Sequence, residues 1–296
     1  PMKTDLDTLM QRHQLDAILV TGPGQHNPAM VYLTGGGHMT NADLIKICGK
    51  DAVLFYNPME RDEAARTGLQ TRNLAQYRLN ELQKETAGDL IKAMALRYKV
   101  ILTEMGLTTG RVALYGRGEI GMNFAIFSAL QAELPGLTLV GESSNSVLMQ
   151  AMSTKDSPEI ERIRRMGQIT TAVVGETAEF LTSHAVKNQI LVKPDGQPLT
   201  IGEVKQRINL WLAERGADNP EGTIFAIGRD AAVPHSTGTA SDPLRLGQTI
   251  VYDIFPCESG GGYYYDFTRT WCLGYAPDPV QALYQDVLDV YHQVTA

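Results

Sequence analysis

Two carboxylates set out the chemistry that this sequence can do. Asp253 lies in the run Thr249-Ile-Val-Tyr-Asp-Ile-Phe255, and Asp266 in the run Tyr263-Tyr-Tyr-Asp-Phe-Thr-Arg-Thr-Trp271. A Glu-Ser-Gly-Gly-Gly stretch at 258–262 separates the two. β-branched and aromatic runs on either side of a glycine-rich stretch are the mark of an antiparallel hairpin. With the turn centred between Ser259 and Gly260, Asp253 faces Asp266 across the ribbon. Opposed side chains there lie about 5 Å apart at Cβ, where like charges repel. A divalent cation held between them is the chemistry that would give the placement a use. Thr268 and Thr270 share the face of Asp266 by the two-residue period of a strand, and Tyr265, Phe267 and Trp271 point the other way, toward a core. On spacing alone, a solvated pair of hairpin aspartates accounts for the pattern equally well.

The elements around this hairpin fall into two groups. In the first part of the chain a helix is expected over 5–15, with Leu6, Leu9 and Met10 on one face. Short strands read at 16–20, 52–56, 112–115 and 137–140, and helical segments at 61–66, 82–102 and 121–133. Strands alternating with helices argue an α/β domain. Gly35-Gly36-Gly37 is not followed by Lys-Ser or Lys-Thr, so it reads as a turn and not a phosphate loop. His13, His26 and His38 read as surface or loop histidines. A boundary is expected near Met152, giving domains at 1–152 and 153–296.

Beyond it, Ser157-Pro158-Glu159 is a helix start: a capping hydroxyl, a proline at the first helical position and an acid that complements the helix dipole. Ile160, Ile163, Thr170, Val174 and Thr177 recur at helical spacing. A second helix opens at Thr200, where Glu203 completes a capping box. It buries Ile201, Val204, Ile208, Trp211 and Leu212 and stops at Gly216. A strand follows at 223–227, then a loop at 230–239 that carries Pro234-His235, then the hairpin. An amphipathic helix spans 277–294, with Val280, Leu283, Val287, Leu288 and Tyr291 on one side.

Composition narrows the function classes. The 296 residues contain 26 Lys plus Arg and 33 Asp plus Glu, a net charge of −7 that argues against a nucleic-acid surface. Cys48, Cys257 and Cys272 are scattered without metal spacing and suit a reducing compartment. No apolar run is long enough to span a bilayer. A soluble cytoplasmic protein is the expectation.

Taken together, the first domain, the Lys155-Asp-Ser-Pro-Glu-Ile-Glu-Arg-Ile-Arg164 helix, Pro234-His235 and Asp266-Phe-Thr-Arg-Thr270 resemble the Xaa-Pro aminopeptidase, prolidase and creatinase group. This group belongs to the pita-bread superfamily, and the resemblance runs over the whole chain. It implies an α/β N-terminal domain of creatinase type and an α+β pita-bread catalytic domain built from two similar halves. By the same resemblance Asp253 matches a carboxylate that chelates one metal ion, and Asp266 one that bridges two. His235 matches the histidine that hydrogen-bonds substrate and assists the tetrahedral intermediate; as a bare sequence feature it is a loop histidine bonded to backbone. The implied cofactor is a pair of divalent ions, manganese, cobalt or zinc, as suits oxygen ligands with one imidazole. The implied reaction is attack of a metal-activated water on a peptide whose proline follows the scissile bond. A homodimer is implied as well.

The sequence departs from that pattern twice. Asp253 and Asp266 stand 13 positions apart, longer than the commonest spacing of the family, with the extra residues inside Cys257–Gly262. An even insertion leaves each aspartate on its face. In addition, the family's remaining ligands, one histidine and two glutamates, have no counterpart: 26 residues follow Thr270, with His292 as their one histidine. The expectation is therefore the first half of a catalytic domain from a longer polypeptide, holding metal weakly and inactive by itself. A metal-free, creatinase-like amidinohydrolase and a non-catalytic pita-bread binding module are the alternatives. Creatinase-like members lose the metal carboxylates, and retention of both here favours the peptidase.

Overall fold

A computed structural model describes residues 5–296. Contacts divide the chain into two compact units, one running to Asp156 together with Gly260–Gly262, the other comprising Ser157–Ser259 and Tyr263–Ala296.

The first unit is built on β1 (Ala17–Gly22), β2 (Ala42–Ile47), β3 (Val53–Tyr56), β4 (Gln70–Asn73), β5 (Gly110–Gly116) and β6 (Leu137–Val140). These form one sheet in the order β4-β3-β2-β1-β5-β6. β1 pairs antiparallel with β2 and parallel with β5, so it is central. All six of its residues are buried, as a strand covered on both faces requires. Its side chains alternate between two cores. Ile18 and Val20 join Met10, Met30, Leu44, Leu54 and Val147 in one. Ala17 and Leu19 join Ile45, Phe55, Tyr98, Ile101 and Leu130 in the other.

The helices of this unit are α1 (Leu6–Arg12), α2 (Pro28–Thr34), α3 (Arg61–Arg66), α4 (Leu79–Glu85), α5 (Leu90–Glu104), α6 (Ile120–Glu133) and α7 (Val147–Ser153). The single helix expected over 82–102 is broken in two. Ala87 and Gly88 take positive φ, and Asp89 then caps α5 by accepting from the Lys92 N–H. The outer edge of β6 is closed by one side chain. The Gln131 amide donates to the Leu137 carbonyl and accepts from the Leu139 N–H at 2.9 Å. It thus occupies the place of a neighbouring strand.

In the second unit the chain runs α8 (Ser157–Thr182), β7 (Ala185–Lys187), β8 (Ile190–Val192), α9 (Ile201–Glu214), β9 (Ala217–Asp218), β10 (Thr223–Ile227), β11 (Thr249–Ile254), β12 (Cys257–Glu258), β13 (Phe267–Cys272) and α10 (Asp278–Thr295). The capping box at Thr200 and Glu203 forms as expected. A three-stranded antiparallel sheet, in the order β10-β11-β13, carries the paired aspartates. Along β11, Ile250, Tyr252 and Ile254 are buried while Val251 and Asp253 are half-buried. The buried face packs with Phe225, Val173, Leu181, Val204, Ile208 and Leu212. Tyr252 stacks edge-on against both Phe225 and Trp271, and its hydroxyl lies 3.3 Å from Thr177 Oγ1. The sheet is therefore rigid on one side and open on the other, and the aspartates are on the open side.

One stripe differs from its sequence reading, and one apolar side stays uncovered. In α8, Thr170, Val174 and Thr177 are buried as expected, but Ile160 is 44% exposed. In α10 no residue is buried: Leu283, Val287 and Tyr291 are each about 60% exposed or more. The apolar side of this helix has no core of its own unit to enter.

Candidate metal site

The ribbon between β11 and β13 keeps one register throughout. Asp253 stands opposite Thr268, Ile254 opposite Phe267, and Cys257 opposite Tyr264. The Glu258 N–H donates to the Tyr263 carbonyl at 3.0 Å. The turn is therefore centred between Gly260 and Gly261, with φ of 85° and 82°. This corrects the expected centre at Ser259 and Gly260. The Glu258–Tyr263 bond closes a four-residue loop, 259–262, whose two central positions take positive φ, which glycines adopt without strain and Ser259 would not.

The correction moves the register by two residues, so Asp266 is not directly opposite Asp253. It sits one residue before β13, diagonal to Asp253 and on the same face. A shift of two preserves the face because the side-chain period is two. The two carboxyls remain within hydrogen-bond reach of each other. Partial burial pushes the Asp266 carboxyl above the usual carboxylate range; the Asp253 charge and hydrogen bond act in the same direction, opposed by the Phe267 N–H. Thr268 Oγ1 donates to Asp253 Oδ1 at 2.6 Å and fixes its rotamer. Among the described residues neither aspartate forms an ion pair with Lys or Arg.

His235 occupies the second central position of a turn in which the Ser236 N–H donates to the Val233 carbonyl at 3.0 Å. Pro234 precedes it, and its φ is 60°. Proline followed by a positive φ is the pattern of a type II turn. The imidazole is exposed. The loop is tied down beyond it: Lys205 Nζ donates to the Thr237 carbonyl at 2.8 Å, and Thr239 Oγ1 to Asp230 Oδ2 at 3.1 Å. Gly238, at φ 81°, lies so close to β10 that a Cβ would fall 2.3 Å from the Phe225 carbonyl oxygen. The structure thus brings Asp253 and Asp266 together, and anchors His235 to the edge strand next to β11, without a hydrogen bond to either aspartate.

The donor set suits a divalent ion in kind but is short in number. Two adjacent carboxylates are hard oxygen donors whose repulsion a cation relieves. Among the described residues no group of three or more His, Cys, Asp or Glu is placed to hold a metal. The sequence puts Thr268 on this face and assigns it nothing; its role shows only once the register is known.

A second cluster, absent from the sequence reading, lies along the ribbon. Arg162 on α8 grips Glu258 with both arms of its guanidinium, Nε to Oε1 at 2.9 Å and Nη2 to Oε2 at 2.7 Å. The guanidinium also stacks 4.9 Å over the Tyr263 ring, and the Tyr263 hydroxyl donates to Glu159. No local spacing signals a pair 96 positions apart.

Fold and site together define a class: an α/β domain followed by an α+β unit whose open sheet face carries paired carboxylates. The model for the Creatinase/Prolidase N-terminal domain matches residues 4–146, and that for metallopeptidase family M24 matches residues 161–296. The chain is a creatinase/prolidase N-terminal domain followed by a family M24 metallopeptidase domain of the pita-bread fold. Solved structures agree at the level of fold. Prolidase from Pyrococcus furiosus superposes with a TM-score of 0.64 at 17% identity, over 96% of this chain and 69% of that one. X-Pro aminopeptidase from Thermotoga maritima gives 0.65 at 20% identity, over 94% and 69%. Aminopeptidase P from Escherichia coli, in complex with substrate, gives 0.66 at 18% identity, over 97% and 66%. A comparison with curated proteins found no match. No helix among the described residues is long and apolar enough to cross a membrane.

Proposed function

We propose that this chain supplies the first two metal carboxylates, Asp253 and Asp266, and the substrate-facing histidine, His235, of a peptidase that cleaves bonds preceding proline. The observation that carries this reading is the pair of adjacent carboxylates on an open sheet face, neither neutralised by a Lys or Arg among the described residues. Two divalent ions, manganese, cobalt or zinc, supply Lewis acidity and a nucleophile from water at neutral pH when bound. The protein's own residues do the rest. Asp253 and Asp266 hold the charge in place, Thr268 keeps Asp253 in its rotamer, and His235 donates to the substrate carbonyl as negative charge develops on it. An Xaa-Pro bond is a tertiary amide without an N–H, so recognition rests on the shape of an apolar pocket for the proline ring. The similar structures, among them a prolidase, an X-Pro aminopeptidase and aminopeptidase P, support this substrate class. A homodimer and a cytoplasmic location belong to the same proposal.

Calorimetric titration of Mn2+ into the purified chain tests the assignment. Weak binding is expected in the wild type and none in Asp266→Ala. Equal binding in both would remove Asp266 from the site. Turnover of an Ala-Pro peptide by this chain is expected to be negligible.

A further inference from the structure

We propose that Arg162 is a positioning residue: its two-armed grip on Glu258 locks the register of the ribbon and so sets the separation of Asp253 from Asp266. The proposal rests on the metal role assigned to those aspartates above, but its structural half can be tested without metal.

The need for a lock follows from the turn. Gly260, Gly261 and Gly262 are consecutive. The observed four-residue loop, Ser259–Gly262 closed by the Glu258–Tyr263 bond, is one closure that this glycine run allows, and a two-residue turn on Gly261-Gly262 with positive φ at both centres is another. The second choice slides one strand by two residues and places Asp253 opposite Thr270. That slide keeps every side chain on its face, so hydrophobic alternation does not oppose it. It would carry Asp266 from the diagonal position to one two residues farther from Asp253, and would break the bond from Thr268. Neither the turn nor the face pattern therefore chooses the register that brings the carboxylates together.

The cluster on α8 does choose it. Glu258 and Tyr263 are cross-strand partners only in the observed register, where the Glu258 N–H meets the Tyr263 carbonyl. Arg162 touches both, gripping the carboxylate of Glu258 and stacking on the ring of Tyr263. Glu258 Oε2 also accepts from the Tyr263 N–H at 2.8 Å. Tyr263 is tied to Glu159 on the same helix. Two residues on, the Tyr265 ring lies over Gly167, where a Cβ would come within 2.7 Å of it. One arm of the ribbon is also paired to β9, which anchors that arm but does not relate the two. The Arg162 cluster joins both arms to α8 at the end of the ribbon next to the loop. Burial pushes the Glu258 carboxyl up, and the Arg162 and Tyr263 bonds outweigh it, holding the carboxyl below its usual range.

The experiment uses the purified chain as wild type, Arg162→Ala, Arg162→Lys, Glu258→Gln and Asp266→Ala. Mn2+ is titrated by calorimetry, and amide exchange is followed over Phe267–Cys272 and, as a control for the fold, over Ile201–Glu214. Arg162→Ala and Glu258→Gln are expected to weaken Mn2+ binding about 10–100-fold, as loss of a supporting contact behind metal ligands does. They should speed exchange in Phe267–Cys272 and leave Ile201–Glu214 unchanged. Arg162→Lys keeps the charge but not the fork and is expected to behave like Arg162→Ala. Wild-type Mn2+ affinity and wild-type exchange in Arg162→Ala and Glu258→Gln would overturn the proposal, as would full rescue by Lys. Should the wild type bind no more Mn2+ than Asp266→Ala, the metal reading fails by itself, and exchange over Phe267–Cys272 then decides the lock alone.

Discussion

Asp253 stands opposite Thr268 and diagonal to Asp266, so one carboxylate is held by a hydroxyl while its acidic neighbour reaches it from two residues along the adjoining strand. This diagonal arrangement orients Asp253 before any ion arrives and leaves the repulsion between the acids uncompensated in the metal-free protein.

That repulsion has a measurable cost. Asp266→Asn removes it and is expected to stabilise the metal-free chain by about 0.2–0.5 kcal/mol, a cross-strand like-charge term reduced by exposure. Urea unfolding at neutral pH in the presence of a chelator reads the difference. The same variant should lose Mn2+ binding, so stability and ligand affinity move in opposite directions.

Thr268→Val keeps the β-branched shape and removes the donor to Asp253. Mn2+ affinity is expected to fall about tenfold or more, with Thr268→Ser restoring most of it. Equal affinity in Thr268→Val and wild type would show that the 2.6 Å bond does not orient the carboxylate.

Gly238→Ala should be costly, because a Cβ at positive φ would collide with the Phe225 carbonyl. A loss of about 1–3 kcal/mol is expected from strain at such a site. The His235 loop should shift with it. His235→Ala, in contrast, should leave stability and Mn2+ binding near wild type, since the imidazole is exposed and ties no other element. Thermal melts of the two variants separate these outcomes.

The ion pair at Glu258 predicts a pH dependence. Its carboxyl is held below the ordinary value of 4.5 in the fold, so it contributes stability that is present above the unfolded value and lost as pH falls through the folded one. The difference in unfolding free energy between wild type and Glu258→Gln should therefore shrink as pH drops below about 4.5. A difference that stays constant into acid would mean that the charge of Glu258 is not what Arg162 holds.

Most of the fold could be read from residue patterns because it depends on local rules. The Thr200–Glu203 box, the Ser157-Pro158 start and the alternation along β11 each declare themselves within a few positions. The face shared by Asp253, Asp266 and Thr268 was legible for the same reason, since parity survives any even error. The register was not, because Ser259, Gly260, Gly261 and Gly262 offer several turn centres and the pairing along the ladder distinguishes them. Ala42–Ile47 passed unread because its apolar residues are interrupted by Asp43 and Lys46. Each is buried with a partner far along the chain: Asp43 accepts from Tyr98, and Lys46 donates to Asp7 as well as to the nearby Lys50 carbonyl. Arg162 with Glu258 escaped for the same cause, a contact set by tertiary structure alone. For α10 the spacing shows that one side is apolar but not what meets it, and that side is exposed.

Gln131 has a consequence for the molecule in solution. Its amide satisfies the Leu137 carbonyl and the Leu139 N–H on the outer side of β6, where an incoming chain would otherwise zip on and seed fibre growth. A single polar side chain is the stopper. Gln131→Leu, with nearly the same bulk and no amide, should leave the first unit folded yet bring concentration-dependent precipitation, so solubility here depends on one amide at the edge of β6.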